Sequence, residues 1–200
     1  TNPYQLTEAD RTVIGNTTPK FSGGFGLNAT YKGFDMSMFF NFMYDFDVLN
    51  ANKIMLTTWA DNKENNFLMD IASDKRWRNF DDMGNEIRYS PEVLAEFNKN
   101  ATMWNPTSIG RPICMSYAVE DGSFLRLNSA TLGYTLPSVW TKKVGLSKVR
   151  FYVSGNNLFT LTGYSGYDPE VNIATGLTPN IDYDRYPRSR TYTFGAQLTF

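Results

Sequence analysis

The last twelve residues, Ser189 to Phe200, read SRTYTFGAQLTF and constrain the chain more than any other stretch. Tyr192, Phe194, Ala196, Leu198 and Phe200 are apolar at a strict spacing of two, while Thr191, Thr193, Gly195, Gln197 and Thr199 between them are small or polar and uncharged. Successive side chains of an extended strand point to opposite faces, so this is one strand with two chemically different faces. A soluble sheet usually fills its solvated face with Lys, Glu and Arg, which keep surfaces and edges from aggregating. Those charges are missing here, and the reading that suits both faces is an apolar side toward lipid and a polar side toward water. A strand of roughly 9–11 residues with such faces is the unit of a transmembrane β-barrel. The closing aromatic, Phe200, reads as a barrel-assembly signal.

The same pattern recurs upstream. In Phe21 to Tyr31 the apolar set is Phe21, Phe25, Leu27, Ala29 and Tyr31; in Phe34 to Phe46 it is Phe34, Met36, Met38, Phe40, Phe42, Tyr44 and Phe46. Lys32 and Gly33 between them predict a two-residue hairpin turn. Asp35 and Asp45, the charges of the second segment, stand near its ends, as a hydrocarbon slab requires. In Ser123 to Thr135 the apolar parity switches from Leu125 and Leu127 to Ala130, Leu132 and Tyr134, which predicts a bulge near Asn128 and Ser129. Lys148 to Leu161 alternates again, with Val149, Phe151, Val153, Phe159 and Leu161 on one side, interrupted by Gly155 and Asn157.

Five strands result, and the connections between them alternate short and long. Asp47 to Gly122 and Thr162 to Arg188 are the long ones, the first of them without a strand pattern; Thr1 to Pro19 reads as a further loop. Within the first, Ser90 and Pro91 open a helix over EVLAEF, and a second helix is expected near Ala51 to Trp59. Long connections all on one side and short turns on the other are the asymmetry of transmembrane barrels, whose long loops face outward. The expected fold is therefore all-β: a fragment of a transmembrane antiparallel barrel with long extracellular loops containing short helices. Five strands do not close a barrel, which needs about eight. With neither an initial Met nor a leader, an exported protein of this kind reads as a piece of something longer.

Composition removes other classes. Net charge is −1, from 19 basic and 20 acidic residues spread along the chain, so no nucleic-acid footprint exists. There is no histidine, the commonest metal ligand and general base, and the single cysteine, Cys114, makes no intrachain disulfide or cysteine zinc site. Neither a cofactor nor an enzyme activity is expected.

Three strings carry a family likeness. VEDGSFLRLNSATLGYTLP from Val119 to Pro137, VRFYVSGNNLFTLTGYSGYDPEVN from Val149 to Asn172 and YPRSRTYTFGAQLTF to the end resemble the C-terminal barrel segment of the SusC/RagA-like, TonB-dependent outer-membrane transporters of Bacteroidetes. The earlier VIGNTTPKFSGGFGLNATYKGFDMSMFFNF, Val13 to Phe42, is similar to the preceding hairpin of that family. The resemblance implies the last five or six strands of a barrel of about 22 strands. It also implies a plug and a TonB-binding segment, neither in this chain, and a SusD-like surface lipoprotein that captures glycan or peptide cargo. The alternative is a soluble or surface β-sheet module that binds carbohydrate through aromatic loops, which would need no detergent. An enzyme in the long loop is a weaker reading, because its usual histidines are missing.

Candidate contacts with cargo or lid are the loop aromatics Trp59, Trp77, Trp104, Tyr164, Tyr167, Tyr183 and Tyr186. Aromatic rings bring large contact area at small entropic cost; the same residues would equally serve to fold the loops onto themselves. Asp168, Glu170 and Asn172 have oxygen ligands suited to calcium, although Asp168 before Pro169 is also ordinary turn chemistry. Asp81, Asp82, Gly84, Asn85 and Glu86 lack EF-hand spacing and read as a solvated turn. Arg126 has the parity of the polar face, where a charge must be hydrated or paired.

Overall fold

The computed structural model describes residues 11–58, 66–71, 75–106, 113–171, 180–183 and 185–200. In chain order the elements are β1 (Phe21–Tyr31), β2 (Phe34–Tyr44), β3 (Asp47–Asn50), α1 (Ala51–Met55), α2 (Pro91–Asn98), β4 (Val119–Asp121), β5 (Phe124–Thr135), α3 (Ser138–Thr141), β6 (Lys148–Thr162), β7 (Ile181–Asp182) and β8 (Thr191–Thr199). Two compact units divide the chain: Thr1–Leu49 with Val119–Phe200, and Asn50–Ala118. No helix among the described residues is long and apolar enough to cross a membrane, which says nothing about crossing by strands.

The first unit is built on a five-stranded sheet in the order β1-β2-β5-β6-β8, every neighbouring pair antiparallel. Lys32 and Gly33 join β1 to β2 with φ of 45° and 89°. Both lie in the left-handed region, so the two-residue turn twists with its strands, and Gly at the second position removes the Cβ penalty. In an antiparallel meander the connections alternate between ends. The β1–β2 and β5–β6 connections therefore leave one end of the sheet, and those following β2 and β6 leave the other. The register of β2 against β5 runs Phe39 to Ser129 and then Phe40 to Leu127, leaving Asn128 as the extra residue, and β5 against β6 slips at the same place. That bulge keeps Leu125, Leu127, Ala130, Leu132 and Tyr134 on a single face despite their change of parity.

Alternation alone carries the second strand to Phe46; the strand stops at Tyr44. Asp45 adopts φ of 59°, and its N–H donates to Ser123 Oγ at 2.9 Å. The chain turns there, and Phe46, expected on the outer apolar face, is buried instead with Val48, Phe124, Tyr164 and Val171. The long connection after β2 also begins and ends in short strands: β3 pairs with β4, and β7 completes a three-stranded sheet in the order β4-β3-β7. Pieces of three or four residues are too short to show an alternation, which is why the sequence reads there as strandless. The last strand starts at Thr191 rather than Ser189, after the Pro187 that cannot donate to a ladder.

The second unit holds itself together through polar bonds as much as apolar contact. Asn50 caps α1, its side chain accepting from Lys53 N at 3.3 Å, and the helix ends at Met55, short of the expected Trp59. Thr57 Oγ1 donates back to the Ile54 carbonyl, a local bond that competes with continuing the helix. Around α2, Pro91 occupies the first turn, where its missing N–H costs nothing. Ser90 precedes it but makes no side-chain cap bond; instead Asn98 ties the helix end down by donating from Nδ2 to the Leu94 and Arg78 carbonyls and accepting from Arg78 N at 2.6 Å. Asp81 accepts from Asn85 Nδ2 at 2.9 Å and from the Asn85 and Met83 N–H groups, bonds that close the acidic stretch into an exposed turn and hold its own carboxyl below the usual range.

Candidate functional site

Residues directly opposite in an antiparallel ladder share a face. Following the register across all five strands gives one surface: Phe21, Phe25, Leu27, Ala29 and Tyr31 of β1 face Tyr44, Phe40, Met38, Met36 and Phe34 of β2. That row continues through Leu125, Leu127, Ala130, Leu132 and Tyr134 of β5 to Leu161, Phe159, Gly155, Val153 and Phe151 of β6, and on to Tyr192, Phe194, Ala196 and Leu198 of β8. No charged side chain interrupts it; the one amide of matching parity, Asn157, falls in the irregular stretch of β6 and donates from Nδ2 to the Ser189 carbonyl at 3.1 Å. Much of it is open, Phe194 being 80% and Leu161 60% exposed. Soluble monomers rarely show contiguous apolar patches beyond a few hundred Å². Eleven residues of β1 at about 3.4 Å each, tilted as barrel strands are, span about 25 Å, the height of the outer apolar band of a transmembrane barrel.

The opposite face is mixed, with small and polar residues predominating, and Asp35, Arg126 and Arg150 on it are ion-paired. Asp35 near the start of β2 accepts from Arg150 Nε at 2.9 Å, reaching across β5 between them. This works because Gly133 stands between the two: a Cβ there would lie 2.5 Å from Arg150 Nη2 and 2.6 Å from Asp35 Oδ1. Separated by 115 positions, the pair leaves no local sequence signal; its only trace is that both residues have interior parity at the same end of their strands.

Arg126 stands on this inner face and is 2% exposed. Its Nη2 donates to Asp168 Oδ1, its Nε is 3.6 Å from Glu170 Oε2, and Glu170 Oε1 accepts from Arg188 at 2.7 Å. Burial by itself would push the Asp168 carboxyl up, but the bonds from Arg126 and the Glu170 N–H, with the fields of Arg126 and Arg188, outweigh it and hold the group below its ordinary value. The network fastens the segment after β6 to the sheet interior. Asp168 and Glu170 thus have their oxygens directed at arginines rather than converging on a cation, and among the described residues no group of three or more acidic, Cys or His side chains is placed to hold a metal. Asn172, the third candidate calcium ligand, lies outside the described residues.

The aromatic candidates separate. Trp59 lies outside the described residues. Tyr164 is 6% exposed, packs in the core with Phe46 and Phe124, and donates its hydroxyl to buried Asp182 at 2.7 Å. Burial and that acceptor push its phenol pKa well above the ordinary value, so it stays a neutral donor. Trp104 donates from Nε1 to the Thr57 carbonyl at 3.1 Å and meets Tyr117 edge-on, a fold-stabilising position. Trp77, Tyr167, Tyr183 and Tyr186 remain exposed. Phe200 follows β8 and is open on its surface. Cys114 is an exposed free thiol.

No family model matches the chain. It is 35% identical to TonB-dependent receptor P3 of Formosa agariphila over 98% of its own length, which is 18% of that receptor. Over 42% of the chain it is 36% identical to the TonB-dependent receptor SusC of Bacteroides thetaiotaomicron, covering 8% of that protein. Among solved structures, the RagAB peptide importer in its closed-closed state superposes with a TM-score of 0.72 at 25% identity, over 98% of this chain and 19% of that one. A second structure, of the RagAB peptide transporter, gives 0.73. The chain therefore spans about a fifth of the relatives it matches end to end. These relatives are receptors and transporters, not enzymes.

Proposed function

The chain is a SusC/RagA-like segment of the TonB-dependent receptor kind, and on that premise we propose that it supplies wall strands and outer loops to an outer-membrane nutrient transporter. The observation that carries this reading is the uncharged face running unbroken across five strands. A surface of that extent is stable against lipid and unstable in water. Both outer strands, β1 and β8, present an edge without a partner among the described residues. Unpaired backbone in a bilayer costs several kcal/mol per group, so each edge pairs with a strand contributed by the rest of the receptor. The short connections then lie on the periplasmic side and the long ones outside, with Phe200 at the periplasmic end as a signal for barrel assembly.

In this reading the interior face, lined mostly by Gly, Ser, Thr and Asn, borders a plug and a polar passage, and energy arrives through TonB at a segment outside this chain. The long loops meet a SusD-like lipoprotein and the cargo through exposed aromatics, Trp77, Tyr167, Tyr183 and Tyr186. Trp104 and Tyr164 are set aside as contacts because their polar atoms are already bonded inside the fold. RagAB imports peptides; peptides and glycans are the two cargo classes proposed here. The test is fractionation of the tagged full-length receptor, followed by mass spectrometry of what purifies with it. The receptor should sediment with outer membranes, need detergent for extraction, and bring down a surface lipoprotein. A receptor recovered soluble and monodisperse without detergent refutes the proposal.

A further inference from the structure

The connection between β5 and β6 is built inside out. After Pro137, helix α3 and the single 3-10 turn Lys142–Val144 place Val139, Trp140 and Val144 at 60–70% exposure, while Thr141 is buried. A solvated helix would bury the valines and tryptophan and expose the threonine. The inversion is held rigidly: Leu136 N donates to the Val149 carbonyl at 2.9 Å, Leu146 N to the Thr141 carbonyl at 3.1 Å, and Ser147 N to the Thr199 carbonyl at 2.8 Å. Gly145, at φ of 75°, closes the turn. Lys142 and Lys143 are exposed beside these apolar side chains, and no carboxylate pairs with either among the described residues. Asp35, the carboxylate at this end of the sheet, is occupied by Arg150. The ledge directly continues the strands whose uncharged face ends in Tyr134 and Phe151.

We propose that this ledge is an interfacial anchor that seats Val139, Trp140 and Val144 in the periplasmic leaflet and binds anionic phospholipid headgroups through Lys142 and Lys143. Trp belongs at such a boundary because its ring is apolar and its N–H needs a wet partner. Lysines reach from there to the headgroup phosphates, their methylene stems lying along apolar surface. The inference rests on the membrane reading above, and one experiment separates the two. The full-length receptor is inserted into phosphatidylcholine vesicles, and the detergent-solubilised protein is titrated with phosphatidylglycerol and with phosphatidylcholine, bound lipid being counted by native mass spectrometry. Failure to insert into phosphatidylcholine at all would sink the membrane reading. Insertion with no preference for phosphatidylglycerol would sink the anchor alone.

The expected result is a salt-sensitive preference for phosphatidylglycerol. Each lysine near an anionic surface contributes a factor of five to six, so the Lys142→Gln/Lys143→Gln variant should lose about 30-fold while its binding of phosphatidylcholine stays unchanged. Trp140→Phe should retain both lipids, and Trp140→Ser should weaken both. Undiminished phosphatidylglycerol binding by the double variant overturns the assignment. So does competition by inorganic phosphate as effective as the lipid, or a periplasmic protein held by the same lysines in place of lipid.

Discussion

Arg126 joins the polar face of the sheet to the segment after β6, and it does so as a charge removed almost entirely from solvent. Taking away one member of a buried ion pair leaves the others uncompensated, at a cost of about 3–5 kcal/mol. Arg126→Met should therefore loosen residues 163–171 while the strands stay paired, and hydrogen exchange across that segment against β6 is the check. The carboxyl side of the pair has its own pH signature. Asp168 has a folded pKa below its ordinary 3.8, so its contribution is fully present above that value and is lost as pH falls through the depressed one. Limited proteolysis of the segment should accelerate only on acidification below the ordinary range in the wild type. In Asp168→Asn it should be fast at every pH; a wild-type profile in that variant would show that the carboxylate does not hold the loop.

At the scale of elements, what the sequence disclosed and what it hid divide by sequence distance. Long alternation survives reading because period two depends only on neighbours, so β1, β2, β5, β6 and β8 and the bulge at Asn128 were legible. Phe46 was not: its burial follows from Asp45 turning with positive φ against Ser123, a partner 78 residues away. The strands β3, β4 and β7 were hidden by their brevity, and the Asp35–Arg150 pair by its separation. Of the candidate contacts, Tyr164 could not be told from Tyr167 three positions on, since one is core and the other surface only by virtue of where Asp182 and Phe46 lie. The faces of β8 make the sharpest element-level prediction. Phe194→Arg should damage assembly by roughly 2–4 kcal/mol if the site lies near the midplane, whereas Thr193→Arg on the other face, opposite the uncharged Ser154, should be tolerated. Heat-modifiable mobility of the full-length receptor reads both; equal damage from the two would contradict the two-faced strand.

For the whole molecule the proposed division is between a wall made by five strands and recognition assigned to the connections at one end. Shortening the connection by removing residues 51–118 takes out one compact unit, and should leave a membrane-inserted receptor that no longer retains its lipoprotein or takes up cargo. Normal retention and uptake would move recognition elsewhere. Everything in this division depends on which face of the sheet meets lipid. The direct measurement places single cysteines along β8 of the full-length receptor, with Cys114 replaced by Ser, attaches spin labels, and compares collision with dissolved oxygen and with a water-soluble nickel chelate in outer membranes. Labels at Tyr192, Phe194, Ala196 and Leu198 should favour oxygen and those at Thr191, Thr193, Gln197 and Thr199 the chelate; Gly195 is left unlabelled because a side chain there would meet the Tyr152 ring. Chelate access at Phe194 and Leu198 equal to that at Thr193 and Gln197 would contradict the lipid-facing assignment.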